Sequence, residues 1–147
     1  MFIISRGITQ FPDSALELEN HVWYNLFARR ESLYLDLEID SPIYLLVKNS
    51  NNVERLYLGK VLRILKMPFY HREMMLDRLL GFGYWPYQGD KYYATKEHMT
   101  KGYMLCFKLT DVKKLDINLD NRPRLNRAGY INVYGNGNQE WNELLNI

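Results

Sequence analysis

Residues Ile43 to Val47, IYLLV, are apolar at every position, so a strand there would be covered on both faces and central to its sheet. Asn49, Ser50, Asn51 and Asn52 follow; these residue types tolerate turn conformations and bond their own backbone. A second run, Val53 to Leu65, leads away, and the two runs together predict a hairpin. Gly59 inside the second run costs strand stability and marks a bulge, the device that bends a strand into a small curved sheet or barrel. Met67 and Pro68 are expected to end this strand, because proline cannot donate to a ladder.

The rest of the chain must supply the layers that cover such a strand. With 147 residues and 47% hydrophobic content it suits one domain with an ordinary core. The net charge of +2, from 19 basic against 17 acidic residues, is too mild to mark a nucleic-acid protein by itself, so any basic surface must come from local arrangement. Aromatic residues make up 14%, twelve of them tyrosine, a residue that serves both as strand former and as stacking platform. The single cysteine, Cys106, excludes an internal disulfide and any multi-cysteine zinc site. No apolar run approaches the roughly 20 residues of a membrane helix, and the N-terminus MFIISRGITQ lacks a signal-like pattern. The expectation is a cytoplasmic protein with no membrane partner.

Phe2 to Ser5 reads as a short first strand. Asp13 and Ser14 can cap a helix with Glu17 in the capping-box position, and Leu18, Val22 and Leu26 recur at helical spacing; this predicts a helix over Ala15 to Arg30, with a break possible near Asn20 and His21. Ser32 to Ile39 alternates as a half-buried strand. Tyr70 to Leu80 predicts a short amphipathic helix ended by Gly81 and Gly83, with His71 at its start. Phe82 to Thr100 has no period and reads as a long ordered loop, a kind that is often functional. Gly102 to Asp111 alternates as a strand, Tyr130 to Tyr134 is a final short strand, Gly135 to Asn138 a turn, and Gln139 to Leu145 a terminal helical turn. The predicted core is Leu18, Val22, Leu26, Ile43, Leu45, Val47, Leu58, Val61, Leu105 and Phe107.

The strongest site candidate is the aromatic group Trp85, Tyr87, Tyr92 and Tyr93, flanked by Lys91 and Lys96. Bases stack on aromatic faces while neighbouring cations meet phosphate. Trp23 and Tyr24 with Arg29 and Arg30 form a second group, for which helix packing is the competing role, and Lys48 and Asn49 could present an ammonium and an amide to a base edge. Arg122, Arg124 and Arg127, with Lys113 and Lys114, are basic enough to contact a nucleic-acid backbone, although a solvated linker explains them equally well. His21, His71 and His98 have no metal-ligand spacing, and no cofactor or metal is expected. Cys106 lies mid-strand, where a buried inert thiol is the ordinary role. Lys60, Glu73 and Thr95 are types a hydrolase would want, but nothing in their spacing brings them together.

The order of these features resembles the PUA-like superfamily, in particular its EVE and ASCH branches. The likeness lies in the aromatic early helix (Trp23, Tyr24, Phe27), the strand opened by an acidic turn (IDSPIYLLVKN), the glycine-bearing strand ending in Pro-Phe-Tyr (YLGKVLRILKMPFYHRE) and the late strand KGYMLCFKLTDVKKLD. It spans about Asn20 to Asp116, with residues 118–147 as a C-terminal extension of one domain. The resemblance implies an α+β fold, a small bent mixed β-barrel with flanking helices, and recognition of RNA or of a modified or flipped base in DNA by a non-catalytic module. Two other readings stay open: a small protein-interaction or inhibitor protein whose exposed Tyr and Trp bind another protein, and an ASCH-like hydrolase or nuclease acting on nucleic acid or nucleosides.

Overall fold

The structure, a computed structural model, describes residues 2–27, 37–83, 101–125, 130–132 and 139–146, with backbone alone at 25–27 and 130–132. In chain order the elements are β1 (Phe2–Gly7), a 3-10 helix (Ala15–Asn20), β2 (Trp23–Phe27), β3 (Pro42–Lys48), β4 (Glu54–Phe69), α1 (Arg72–Phe82), β5 (Gly102–Leu115), β6 (Tyr130–Asn132) and α2 (Gln139–Leu145). The strands form one mixed sheet in the order β2-β5-β4-β3-β1-β6. The β1–β3 pair is parallel and every other pair antiparallel. Five substantial strands curl into a half-barrel, with the three-residue β6 added beside β1. The fold is α+β and barrel-like, as the central hairpin requires.

Alternation along the strands divides the apolar side chains between two faces. On the inner face Ile4, Leu45 and Tyr57 lie in register across β1, β3 and β4, and with Trp23, Val47, Val61, Leu105, Phe107, Leu109 and Val112 they make the inner core. Leu18 of the 3-10 helix closes over it, and Glu19 ties that helix to β5 by accepting a hydrogen bond from the Val112 amide at 3.0 Å. The outer face carries two separate cores. One, around Phe69, Met104 and Cys106, is covered by Met75, Leu79 and Phe82 of α1. The other, around Ile3, Tyr44, Leu46 and Leu56, is covered by Trp141 and Leu145 of α2 and by the segment from Leu115 to Leu125. β3 is therefore buried on both faces from Ile43 to Val47.

The hairpin is built as its residues dictate. Asn49 Oδ1 accepts from the amides of Asn51 and Val53, both at 3.0 Å, which folds the turn onto the asparagine side chain. The bulge expected at Gly59 is present, but its extra residue lies on β5. Leu58 faces Lys113 and Lys60 faces Thr110, so Asp111 and Val112 together oppose Gly59. Asp111 takes the left-handed φ of 54° that the bulge needs. Gly59 serves close approach, because a Cβ there would stand 3.1 Å from Val112 Cγ2 and 3.3 Å from the Thr110 carbonyl oxygen. The valine methyl can rotate away and the carbonyl cannot. Gly59→Ala should therefore lower stability by about 1–3 kcal/mol, read as a shift in the urea midpoint at constant m-value.

Three sequence expectations are corrected. The helix predicted over Ala15 to Arg30 stops at His21, whose backbone is extended (φ −76°, ψ 142°), and Trp23–Phe27 is a strand paired with Tyr103–Phe107. Ser14 caps the short helix through its hydroxyl, accepting from the Leu16 amide at 3.1 Å. β4 does not end at Met67 and Pro68 but runs to Phe69; β3 pairs only as far as Lys60, so Pro68 sits where β5 alone flanks the strand and a missing N–H leaves no β3 bond unmade. The helix after it passes through Gly81 to Phe82 and ends at Gly83, whose φ of 110° lets its amide reach the carbonyls of Leu79 and Leu80. Its N-cap is His71, with Nδ1 accepting from the Met74 amide at 3.1 Å. Of the strand expected over Ser32 to Ile39 only Leu37 to Ile39 are described, and they are not strand but lead into the turn at Asp40; most of the loop to Thr100 and the turn at Gly135 to Asn138 lie outside the described residues.

Of the predicted core, Leu18, Ile43, Leu45, Val47, Val61, Leu105 and Phe107 are buried. Val22 and Leu58 pack half-buried against the two outer cores.

Candidate functional site

Neighbours in register share a face, so the outer face can be read along β4 and β5. Below the α2 cover Leu58 pairs with Lys113, then Lys60 with Thr110, then Arg63 with Lys108, and beyond them Leu65 with Cys106 enters the α1-covered core. The stretch between the two covers thus carries Lys60, Arg63, Lys108 and Lys113, with the Thr110 hydroxyl among them. Lys60, Arg63 and Lys113 are exposed and Lys108 is half-buried.

This arrangement depends on a second bulge. Val61 faces Leu109 and Arg63 faces Lys108, so Leu62 is the extra residue on β4. Without it Arg63 would point into the inner core and Ile64 out; the bulge restores Ile64 to the inner face opposite Phe107 and delivers Arg63 to the outer face. The Arg63 guanidinium carbon then stands 4.6 Å from the centroid of the Phe82 ring, beside the C-terminal turn of α1, which has no basic residue of its own. The result is a pre-positioned cation with an ammonium directly opposite. Like charges in opposed strand positions cost folding energy, and among the described residues neither Lys108 nor Lys113 has a carboxylate partner. The carboxylate of Asp111 lies 4.0 Å from Lys60 Nζ, with both groups more than half exposed, so water screens that pair.

The residues singled out from the sequence are distributed differently. Trp23 is 6% exposed in the inner core, and its ring stacks on His21 with centroids 5.2 Å apart. Among the described residues its indole Nε1 has no hydrogen-bond partner. Burial pushes the His21 pKa below its ordinary value, partly offset by the nearby Glu17 carboxylate. Tyr24, next along β2, packs half-buried on the opposite face against the α1-covered core, so Trp23 and Tyr24 do not share a site. Lys48 is exposed at the end of β3, while Asn49 spends its carbonyl oxygen on the turn. Arg122 makes a two-pronged pair with Glu54, both contacts at 2.9 Å and both side chains largely covered, which pins the C-terminal segment to the start of β4. Arg124 is exposed, and its carbonyl accepts from Trp141 Nε1 at 3.3 Å. Lys113 and Lys114, adjacent in sequence, point to opposite faces of β5. Arg29, Trp85, Tyr87, Lys91, Tyr92, Tyr93 and Arg127 lie outside the described residues, as do Lys96, His98 and Thr95.

Cys106 is fully buried and burial pushes its thiol pKa up to about 12, as expected of an inert core thiol. Among the described residues no three His, Cys, Asp or Glu side chains come together as a metal site, and no helix is long and apolar enough to cross a membrane. Arg63 and Lys108 are the residues that sequence reasoning missed. The three-residue spacing of Lys60, Arg63 and Lys66 in KVLRILK breaks the alternation of a regular strand, and that was the available sign of a bulge. Neither a family model, nor a curated protein, nor a solved structure matches the chain.

Proposed function

We propose that the chain is a non-catalytic nucleic-acid-binding module, built on a PUA-like half-barrel and directed at RNA or at a modified or flipped base. The observation that carries this reading is the outer-face band of Lys60, Arg63, Lys108 and Lys113, three of them exposed among the described residues, in which two cations oppose each other across a strand pair. An isolated surface lysine needs no partner. Four cations gathered between two covered cores, one held against an aromatic ring, form the local basic surface that a net charge of +2 does not advertise. The aromatic sequence from Tyr84 to Tyr93 supplies the residue types on which bases stack.

With about four phosphates engaged, the slope of log affinity against log salt should be roughly −3, so a fourfold rise in salt costs roughly 50-fold in affinity. Replacing all four cations with glutamine should abolish that salt dependence while the protein stays folded, as followed by fluorescence anisotropy and circular dichroism. Affinity unchanged in the quadruple variant would remove the band as the site. Trp85→Ala tests the stacking component separately: an affinity loss of about 1–3 kcal/mol with an unchanged melting temperature is expected.

A further inference from the structure

We infer that Phe82 is a positioning residue for the outer-face band, and that docking of α1 and binding of an anionic ligand reinforce each other through Arg63; this rests on the nucleic-acid reading above and adds a coupling to it. Phe82 is the last residue of α1 and 6% exposed, packed with Met75 and Leu79 onto Phe69, Met104 and Cys106. Its ring therefore has a fixed place only while the helix is docked. Arg63 is exposed, and among the described residues no hydrogen bond or ion pair holds it. The ring of Phe82, 4.6 Å from the guanidinium carbon, is the contact that sets where its charge stands.

An unanchored arginine must give up rotamer freedom when it takes hold of an anion, whereas one already laid on a ring has given it up during folding. The docked helix thus raises affinity. Lys108, the cross-strand partner of Arg63, adds a second contribution of the same sign. With α1 docked, the two cations are kept at one level of the sheet and their repulsion works against docking. A phosphate accepted by both removes that cost. Binding then stabilises the docked helix by the same factor by which the docked helix improves binding. The strength of a partly exposed cation–π contact sets this factor at about two to five.

The test uses the whole chain and a fluorescent oligouridylate or a DNA duplex of the same length, whichever binds more tightly, in a double-mutant cycle of Phe82→Leu and Arg63→Gln. Leucine fills most of the ring's place in the core and removes its π face. Phe82→Leu should weaken binding about two- to fivefold when Arg63 is present and have no effect in the Arg63→Gln chain. The slope of log affinity against log salt should be unchanged in Phe82→Leu, which removes no charge, and should lose about 0.7 to 0.9 in Arg63→Gln. Hydrogen exchange reads the reciprocal half: saturating nucleic acid should slow the α1 amides about two- to fivefold in the native chain and leave them unchanged in Phe82→Leu. A phenylalanine that only stabilises the fold would cost the same affinity in both backgrounds. That result, or α1 exchange indifferent to ligand, overturns this inference and leaves the nucleic-acid reading standing. No binding to either nucleic acid overturns both.

Discussion

Trp141→Ala should lower folding stability by about 3–5 kcal/mol, a third or more of what a domain of this size ordinarily has. Trp141 is 1% exposed and packs with Ile3 of β1, Tyr44 and Leu46 of β3, Leu56 of β4 and Leu145. Truncation leaves a cavity that this rigid sheet surface cannot collapse to fill. The bond from Nε1 to the Arg124 carbonyl is long, 3.3 Å, and its acceptor belongs to an exposed residue, so water replaces it at little cost. Trp141→Phe should consequently recover most of the loss. Urea denaturation of both variants decides the matter: a cost below about 1 kcal/mol for the alanine variant would mean that the C-terminal extension is not part of the core.

A loss of similar size is expected from Trp23→Ala, about 3–5 kcal/mol, and here the competing outcome concerns function. If Trp23 walled a ligand pocket, truncation would weaken binding and spare stability. Its burial in the inner core beside Phe107, its register partner, predicts the reverse: a lower denaturation midpoint and unchanged nucleic-acid affinity per folded molecule. Trp23→Phe sharpens the comparison. Among the described residues the indole N–H has no partner, so phenylalanine removes a poorly satisfied donor along with some volume, and the cost should stay below about 1.5 kcal/mol.

Much of the fold could be read from residue patterns that have one physical outcome. A run apolar at every position, followed by asparagines, leaves little but a buried strand and a turn, and β3 with its hairpin is that. β5 was legible because Leu105, Phe107 and Leu109 alternate with Met104, Cys106 and Lys108, and both sets have a core or an open face to meet. The segment from Val22 to Phe27 was not legible. Val22 and Leu26 satisfy a helical stripe, Trp23 and Tyr24 are good strand formers, and six residues are too few for either period to dominate. Pairing with β5, fixed far along the chain, settles it. The cationic band was hidden for a related reason. Glycine advertised the bulge at position 59, but Leu62 carries no such mark, and without that bulge Arg63 and Lys108 are on opposite faces. Burial of Arg122 against Glu54 was equally invisible, since a charge run in a linker looks solvated until its partner is placed.

The placing of β1 has a consequence for how the chain is made. Phe2–Gly7 lies between β3 and β6, parallel to the first and antiparallel to the second. A ribosome delivers β1 before both of its neighbours: the parallel one follows only with Pro42–Lys48, and the strand on its other side only with Tyr130–Asn132. From its own synthesis until Tyr130–Asn132 is made, one side of this strand therefore stays available to any other nascent chain. Pairings so distant in sequence are slow to close, and a shielding chaperone during translation should raise the yield of folded protein more than one supplied after release.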